Sequence, residues 1–169
     1  PTEGKLTITS PDHGLREDSM VMLADGSITF TCDHDSNATN HPYPRAERKA
    51  FTPTDATYNT ATGIVTCTVA DHGMKVGEYI KVKDNALSFS CTHGDGSTKT
   101  YPRTSDPISG KFIPVTAVTT NTFSFQSLDI TPSTNTTVHT FVSAVSGGII
   151  QKDPDSGEFR HVKVVDKDT

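Results

Sequence analysis

Ile64-Val65-Thr66-Cys67-Thr68-Val69, then Asp71-His72-Gly73, then Tyr79-Ile80-Lys81-Val82-Lys83 and Ala86-Leu87-Ser88-Phe89-Ser90 is the stretch that sets the fold class. Tyr79 to Lys83 alternates apolar and polar residues with period two, the pattern of a half-buried strand. The β-branched run from Ile64 to Val69 fits a pleated surface and resists a helix. Between them, Asp-His-Gly is turn chemistry, with Gly supplying a positive φ that other residues resist. Asp84-Asn85 is a second turn dipeptide, of the kind that closes a tight hairpin. The stretch therefore predicts a three-stranded antiparallel meander, too small to be stable alone.

The same pattern occurs 59 residues earlier. Asp12-His13-Gly14 falls on Asp71-His72-Gly73, Asp25 on Asp84, Phe30 on Phe89, and Cys32 and His34 on Cys91 and His93. Leu15, Val21, Leu23 and Ile28 fall on Met74, Ile80, Val82 and Leu87. After one missing residue, Tyr43-Pro44-Arg45 matches Tyr101-Pro102-Arg103. The first copy predicts strands at Leu6-Thr7-Ile8-Thr9, Met20-Val21-Met22-Leu23 and Ser27-Ile28-Thr29-Phe30-Thr31. Such register over some forty residues marks an internal repeat.

Beyond the shared part the copies diverge. The second continues through Ile113-Pro114-Val115-Thr116-Ala117-Val118, a turn at Thr120-Asn121, and the strand Thr122-Phe123-Ser124-Phe125. The first runs from Phe51 through Pro53 to Tyr58 with little room for that hairpin, so it is either shortened or borrows a strand from a neighbour. A polar Thr/Ser/Asn run from Thr131 to Thr140 leads to Phe141-Val142-Ser143-Ala144-Val145. Gly147-Gly148 separates this from a charged tail in which Phe159 to Val165 reads as one last strand. The expected architecture is all-β: two tandem antiparallel β-sandwich or small-barrel repeats, 1–57 and 58–146, with long loops and a C-terminal extension, 147–169.

Composition agrees. About one residue in six of the 169 is Thr, twelve are Gly and ten are Pro, so long helices are not expected. Only 33% of residues are hydrophobic, which implies a thin core. No apolar run is long enough to span a membrane, and the start shows no secretory signal. A net charge of −5 with interspersed signs argues against a nucleic-acid partner. Three Cys are too few for a disulfide scaffold and suit a reducing compartment, or a particle assembled in one.

Chemistry-bearing residues are few. Asp12-His13 and Asp71-His72 invite a catalytic dyad, but adjacent strand residues point to opposite faces, and a dyad needs a nucleophile and a pocket. A His that caps a turn is the preferred reading. Cys32 and His34 with Cys91 and His93, joined by Asp35, His41 and Asp95, offer zinc-type ligands, although the spacing is not that of a zinc finger. The bland alternative is a buried Cys ending a strand before a polar loop, and a Cys32–Cys91 disulfide is a third. Tyr43 and Arg45, with Tyr101 and Arg103, are the interface candidates: Pro after Tyr extends the backbone, and Tyr with Arg suits protein contact. A loop anchor within its own repeat is the equal alternative. The sequons Asn37-Ala38-Thr39 and Asn135-Thr136-Thr137 have meaning only in a eukaryotic secretory route. Hydrolase, metalloprotease, phosphate-loop and dinucleotide signatures are absent, so neither an enzyme activity nor a cofactor is expected.

The paired units resemble tandem β-repeats in structural proteins of tailed bacteriophages, particularly of marine and cyanophage type. The likeness rests on Thr66 to Asp84 with His72-Gly73 and Gly77, on Leu87 to Cys91, Tyr101-Pro102-Arg103 and Asp106-Pro107. It extends through Pro132-Ser133-Thr134-Asn135 to His139-Thr140-Phe141-Val142-Ser143-Ala144, covering most of residues 4–145. The first copy departs from the pattern, with Asp18 in place of the Gly and Ala46-Glu47-Arg48 in place of Asp-Pro. The resemblance implies a non-enzymatic virion component of tail, neck or capsid exterior, assembled in the host cytoplasm, whose partners are other copies and other virion proteins. A receptor-binding or host-glycan-binding module of a phage fibre or adhesin is the alternative, weakened by the absence of Trp. A polysaccharide lyase or hydrolase ranks third. A thin core fits units whose burial is completed by assembly.

Overall fold

The computed structural model describes residues 5–92, 96–127 and 137–169. His93, Asp95 and most of the Thr/Ser/Asn run, Pro132 to Asn135 included, lie outside them. The strands are β1 (Met20–Met22), β2 (Ile28–Phe30), β3 (His41–Tyr43), β4 (Glu47–Phe51), β5 (Asp55–Asn59), β6 (Ile64–Thr68), β7 (Tyr79–Val82) and β8 (Leu87–Cys91). They continue as β9 (Thr98–Tyr101), β10 (Ile113–Val118), β11 (Thr122–Gln126), β12 (His139–Ala144), β13 (Ile149–Lys152) and β14 (Phe159–His161). A 3-10 turn, Asp33–Asp35, interrupts them. Among the described residues all pairing is antiparallel. Among the described residues no helix is long and apolar enough to cross a membrane.

Two compact units form. The larger is Ala46–Pro154; the smaller takes the residues up to Arg45 together with Asp155–Thr169. In the larger unit a seven-stranded sheet, ordered β4-β13-β7-β10-β11-β6-β5, accompanies a three-stranded sheet, β12-β8-β9. Alternation dictates the core: Val65 and Cys67 on β6, Ile80 and Val82 on β7, and Leu87 and Phe89 on β8 all turn inward. Val115, Phe123, Phe125 and Ile149 join the same cluster from β10, β11 and β13. Each fully buried Phe or Ile adds about 1.5–3 kcal/mol over its exposed state.

These units follow different boundaries from 1–57, 58–146 and 147–169, because strand pairing crosses all of them. A break at 57/58 would cut β5, which is paired along its whole length to β6. Gly147-Gly148 is not a linker but the tight connection from β12 to β13, a strand hydrogen-bonded on both sides, to β4 and β7. Gly148 is required there: a Cβ at that position would lie 2.8 Å from the Ala86 Cβ and 2.9 Å from the Val145 carbonyl oxygen.

The smaller unit holds two ribbons, β1 with β14 and β2 with β3. Met20 opposes His161 and Met22 opposes Phe159, so a strand from the C-terminal tail fills the place for which the first copy lacked residues. The polar stretch after Cys32 also returns as a strand, with Ile28 opposite Tyr43 and Phe30 opposite His41. Residues 6–9 depart from expectation. They form no strand, since no ladder among the described residues pairs with them, and both Leu6 and Ile8 are exposed.

Burial separates the cysteines. Cys67 is fully buried on β6, and that burial, with Asp55 as the lesser cause, pushes its thiol pKa up to about 12. Cys32 is exposed and Cys91 half-buried. Only a thiolate attacks a disulfide reagent. In an Ellman titration at pH 8, Cys32 is expected to react promptly and Cys67 only after denaturant is added; three fast equivalents in the native protein would contradict this burial.

Candidate functional site

The two Asp-His-Gly segments are turns whose His rings bind backbone. His72 is buried; its Nδ1 accepts the Met74 N–H at 2.9 Å, and its Nε2 donates toward the Thr119 and Thr122 carbonyls, both at 3.0 Å. His13 repeats the arrangement, accepting the Leu15 N–H at 2.9 Å and donating to the Asp166 carbonyl at 3.2 Å. Asp12 and Asp71 hold φ of 50° and 48°, left-handed values that Asp tolerates better than most residues. With both ring nitrogens committed to backbone, neither His is available as a general base.

Tyr43 and Tyr101 are anchored in their own units. The Tyr43 hydroxyl donates to Asp155 Oδ2 at 2.8 Å, and its ring meets Phe30 edge-on at 6.3 Å. Tyr101 packs against Phe89 and His139, and burial first, then Cys91, raises its phenol pKa. Both Tyr-Pro bonds are cis, and the following carbonyls, Pro44 and Pro102, accept the N–H of Gly26 and Asn85, each at 2.7 Å. Arg45 reaches the Pro42 carbonyl at 3.4 Å. Arg103 lies over the Tyr101 ring at 5.3 Å and pairs with Asp106 at 3.2 Å. A shallow depression of about 330 Å³ is lined by residues of β9 and Arg103. There the Arg103 guanidinium stacks over the Tyr101 ring.

Of the metal-ligand candidates, Asp35 and His41 meet. His34 lies in the exposed 3-10 turn; His41 Nε2 sits 3.2 Å from Asp35 Oδ2, and Thr39 also donates to Asp35. These hydrogen bonds, that from Thr39 first, hold the Asp35 carboxyl below the usual range. Among the described residues no three His, Cys, Asp or Glu side chains converge on a metal position. His93 and Asp95 lie outside them. Cys32, Cys67 and Cys91 are free thiols, so the Cys32–Cys91 bridge is not formed.

What distinguishes the smaller unit instead is a set of exposed residues of core type. Hydrogen bonds define which positions correspond. Ser10 N–H donates to the Asp168 carbonyl as Val69 N–H does to Asn121, both at 2.8 Å. Asp12 N–H donates to Asp168 Oδ1 as Asp71 N–H does to Asn121 Oδ1. Val162 N–H donates to the Ser19 carbonyl and its carbonyl accepts from Asp18 N–H, as Val115 does with Glu78 and Gly77. In this correspondence Leu6, Ile8, Leu15 and Phe30 stand where Val65, Cys67, Met74 and Phe89 stand. The first four are 41%, 47%, 39% and 43% exposed; the second four are 6%, 0%, 5% and 3% exposed. The reverse of the β1–β14 ribbon adds exposed Met20, Met22 and Phe159.

A sequence signal for the tail's part existed but lies at a different shift. Asp153-Pro154, Ser156-Gly157, Phe159 and Val162 match Asp106-Pro107, Ser109-Gly110, Phe112 and Val115 at a spacing of 47 residues. A search at 59 passes over it, because about a hundred residues of the larger unit intervene. Comparison with models of protein families, with curated proteins and with solved structures finds no match to this chain.

Proposed function

We propose that this protein is a non-enzymatic structural subunit that works through protein–protein assembly, as the likeness to tailed-phage virion proteins implies. The observation that carries this is exposure: side chains of core type, at positions that are buried in the larger unit, lie 39–47% exposed in the smaller one. Apolar surface exposed at such positions is removed from water when a partner covers it. Other virion proteins and further copies of this chain are the proposed partners, with the virion as its place.

Sedimentation velocity across a range of concentrations tests the reading. Defined oligomers are expected, and the double variant Leu6→Asp, Ile8→Asp is expected to shift them to monomer while the larger unit keeps its thermal transition. A protein that stays monomeric alone and with the other proteins of its particle, yet retains a glycan on an array, would overturn it in favour of the receptor-binding reading.

A further inference from the structure

We propose that Cys91 and His139 form a two-ligand site for a soft monovalent metal ion of the Cu(I) type, which clips β12 to β8. The proposal concerns the larger unit alone and is independent of the assembly reading.

The ladder puts a thiol and an imidazole side by side. Cys91 on β8 stands directly opposite His139 on β12. Residues so opposed share one face of a sheet, with Cβ atoms about 4.5–5.5 Å apart, a gap that one metal ion spans. Cys91 follows the buried Leu87 and Phe89 at alternate positions, so the shared face is the inward one. The pair is pinned on both sides. Before it Ser90 pairs with Thr140; beyond it the Thr92 N–H donates to the Val138 carbonyl and the Val138 N–H to Thr92 Oγ1, each at 3.1 Å.

One ring nitrogen there has no partner. His139 Nδ1 is buried and makes no hydrogen bond. The rings of Tyr58, Phe89 and Tyr101 meet the imidazole edge-on at 5.1, 6.3 and 6.5 Å, contacts that leave Nδ1 unsatisfied. His72, by contrast, commits both nitrogens to backbone groups. An unprotonated imidazole nitrogen is a metal ligand, and an ion would satisfy the one orphaned here. The sulfur is oriented as well, since the Tyr101 hydroxyl hydrogen-bonds the Cys91 side chain. A metal-bound thiolate keeps lone pairs that accept such a bond, which fixes the ligand and tunes its basicity.

Ligand number and softness select the ion. Among the described residues no group of three His, Cys, Asp or Glu side chains could hold a metal, so this pair gains no third ligand of those types. Zn(II) takes three or four protein ligands in a tetrahedral site. Thiolate with imidazole suits Cu(I), for which two ligands in line suffice, whereas Ca(II) and Mg(II) require oxygen.

The experiment titrates the full chain anaerobically with Cu(I), in competition with a chromogenic Cu(I) chelator, and reads the bound ion by X-ray absorption. Expected are one ion per chain with one sulfur and one nitrogen ligand, and no competition from an equal concentration of Zn(II). Cys91→Ser and His139→Phe are each expected to remove the site, Tyr101→Phe to weaken it about tenfold, and Cys32→Ser to leave it intact. His139→Phe keeps a ring among the aromatics and deletes the orphaned nitrogen, so without metal it is expected to melt no lower than the parent protein. Four results would overturn the proposal: no Cu(I) bound, binding retained in Cys91→Ser, binding retained in His139→Phe, or binding lost in Cys32→Ser. The last would assign the ion to an exposed thiol.

Discussion

Replacing Phe123 with Ala is expected to destabilise the larger unit by about 3–5 kcal/mol, the range for a large aromatic truncated in a close-packed core. Phe123 is fully buried at the middle of the unit, on a strand flanked by β10 and β6. Its ring meets Phe51 at 5.9 Å and His72 at 5.3 Å, and its backbone pairs opposite Cys67. Ala would remove the ring packed against Phe51 and His72 and leave a cavity in a close-packed interior. For a unit of about 110 residues this corresponds to a fall in Tm on the order of 15–25 °C. Thermal unfolding followed by circular dichroism measures it. A fall of only a few degrees would mean that β11 does not seal this core.

Deleting Asp155–Thr169 is expected to abolish the structure of the smaller unit and spare the larger one. The segment supplies β14, the only strand paired to β1 among the described residues. It also supplies the carbonyls that hold Ser10, His13 and Asp18, the N–H groups that Ser19 and Glu17 accept, and the carboxylate of Asp155 bonded to Tyr43. Without it β1 has no ladder, and the β2–β3 hairpin is too small to persist alone. The larger unit loses no strand, since all ten of its strands lie between Glu47 and Lys152. In a nitrogen–proton correlation spectrum, signals of residues 5–45 should collapse to random-coil positions while those of 47–152 stay dispersed. Dispersed signals across 5–45 would show the tail to be an appendage.

Most local features were legible. Tyr79 to Lys83 reads as a strand because its alternation and that of the buried face share a period of two, and Ile80 and Val82 are the inward residues. The Asp-His-Gly turns were legible because a positive φ is demanded within a few residues, by backbone sterics alone. The roles of His13 and His72 as turn caps followed from the same local chemistry. The exposure of Leu6 and Ile8 was not legible, since both are residues of core type and nothing near them in sequence says that they stand outside every ladder among the described residues. Tyr43 was equally ambiguous: its partner Asp155 lies 112 positions away.

By itself, then, the sequence determined the all-β class, the turns and most of the strands, because side-chain period and backbone preference act over a few residues. Only the tertiary structure decided which strands close which unit. It gave β4, β5 and β13 to the larger unit, and it returned residues 155–169 to the first 45. The physical reason is that a ladder's energy depends on edge complementarity, whereas the entropy of closing the loop between partners rises only logarithmically with its length. Separation along the chain therefore scarcely limits pairing, and the tail completes the first unit across the whole of the second.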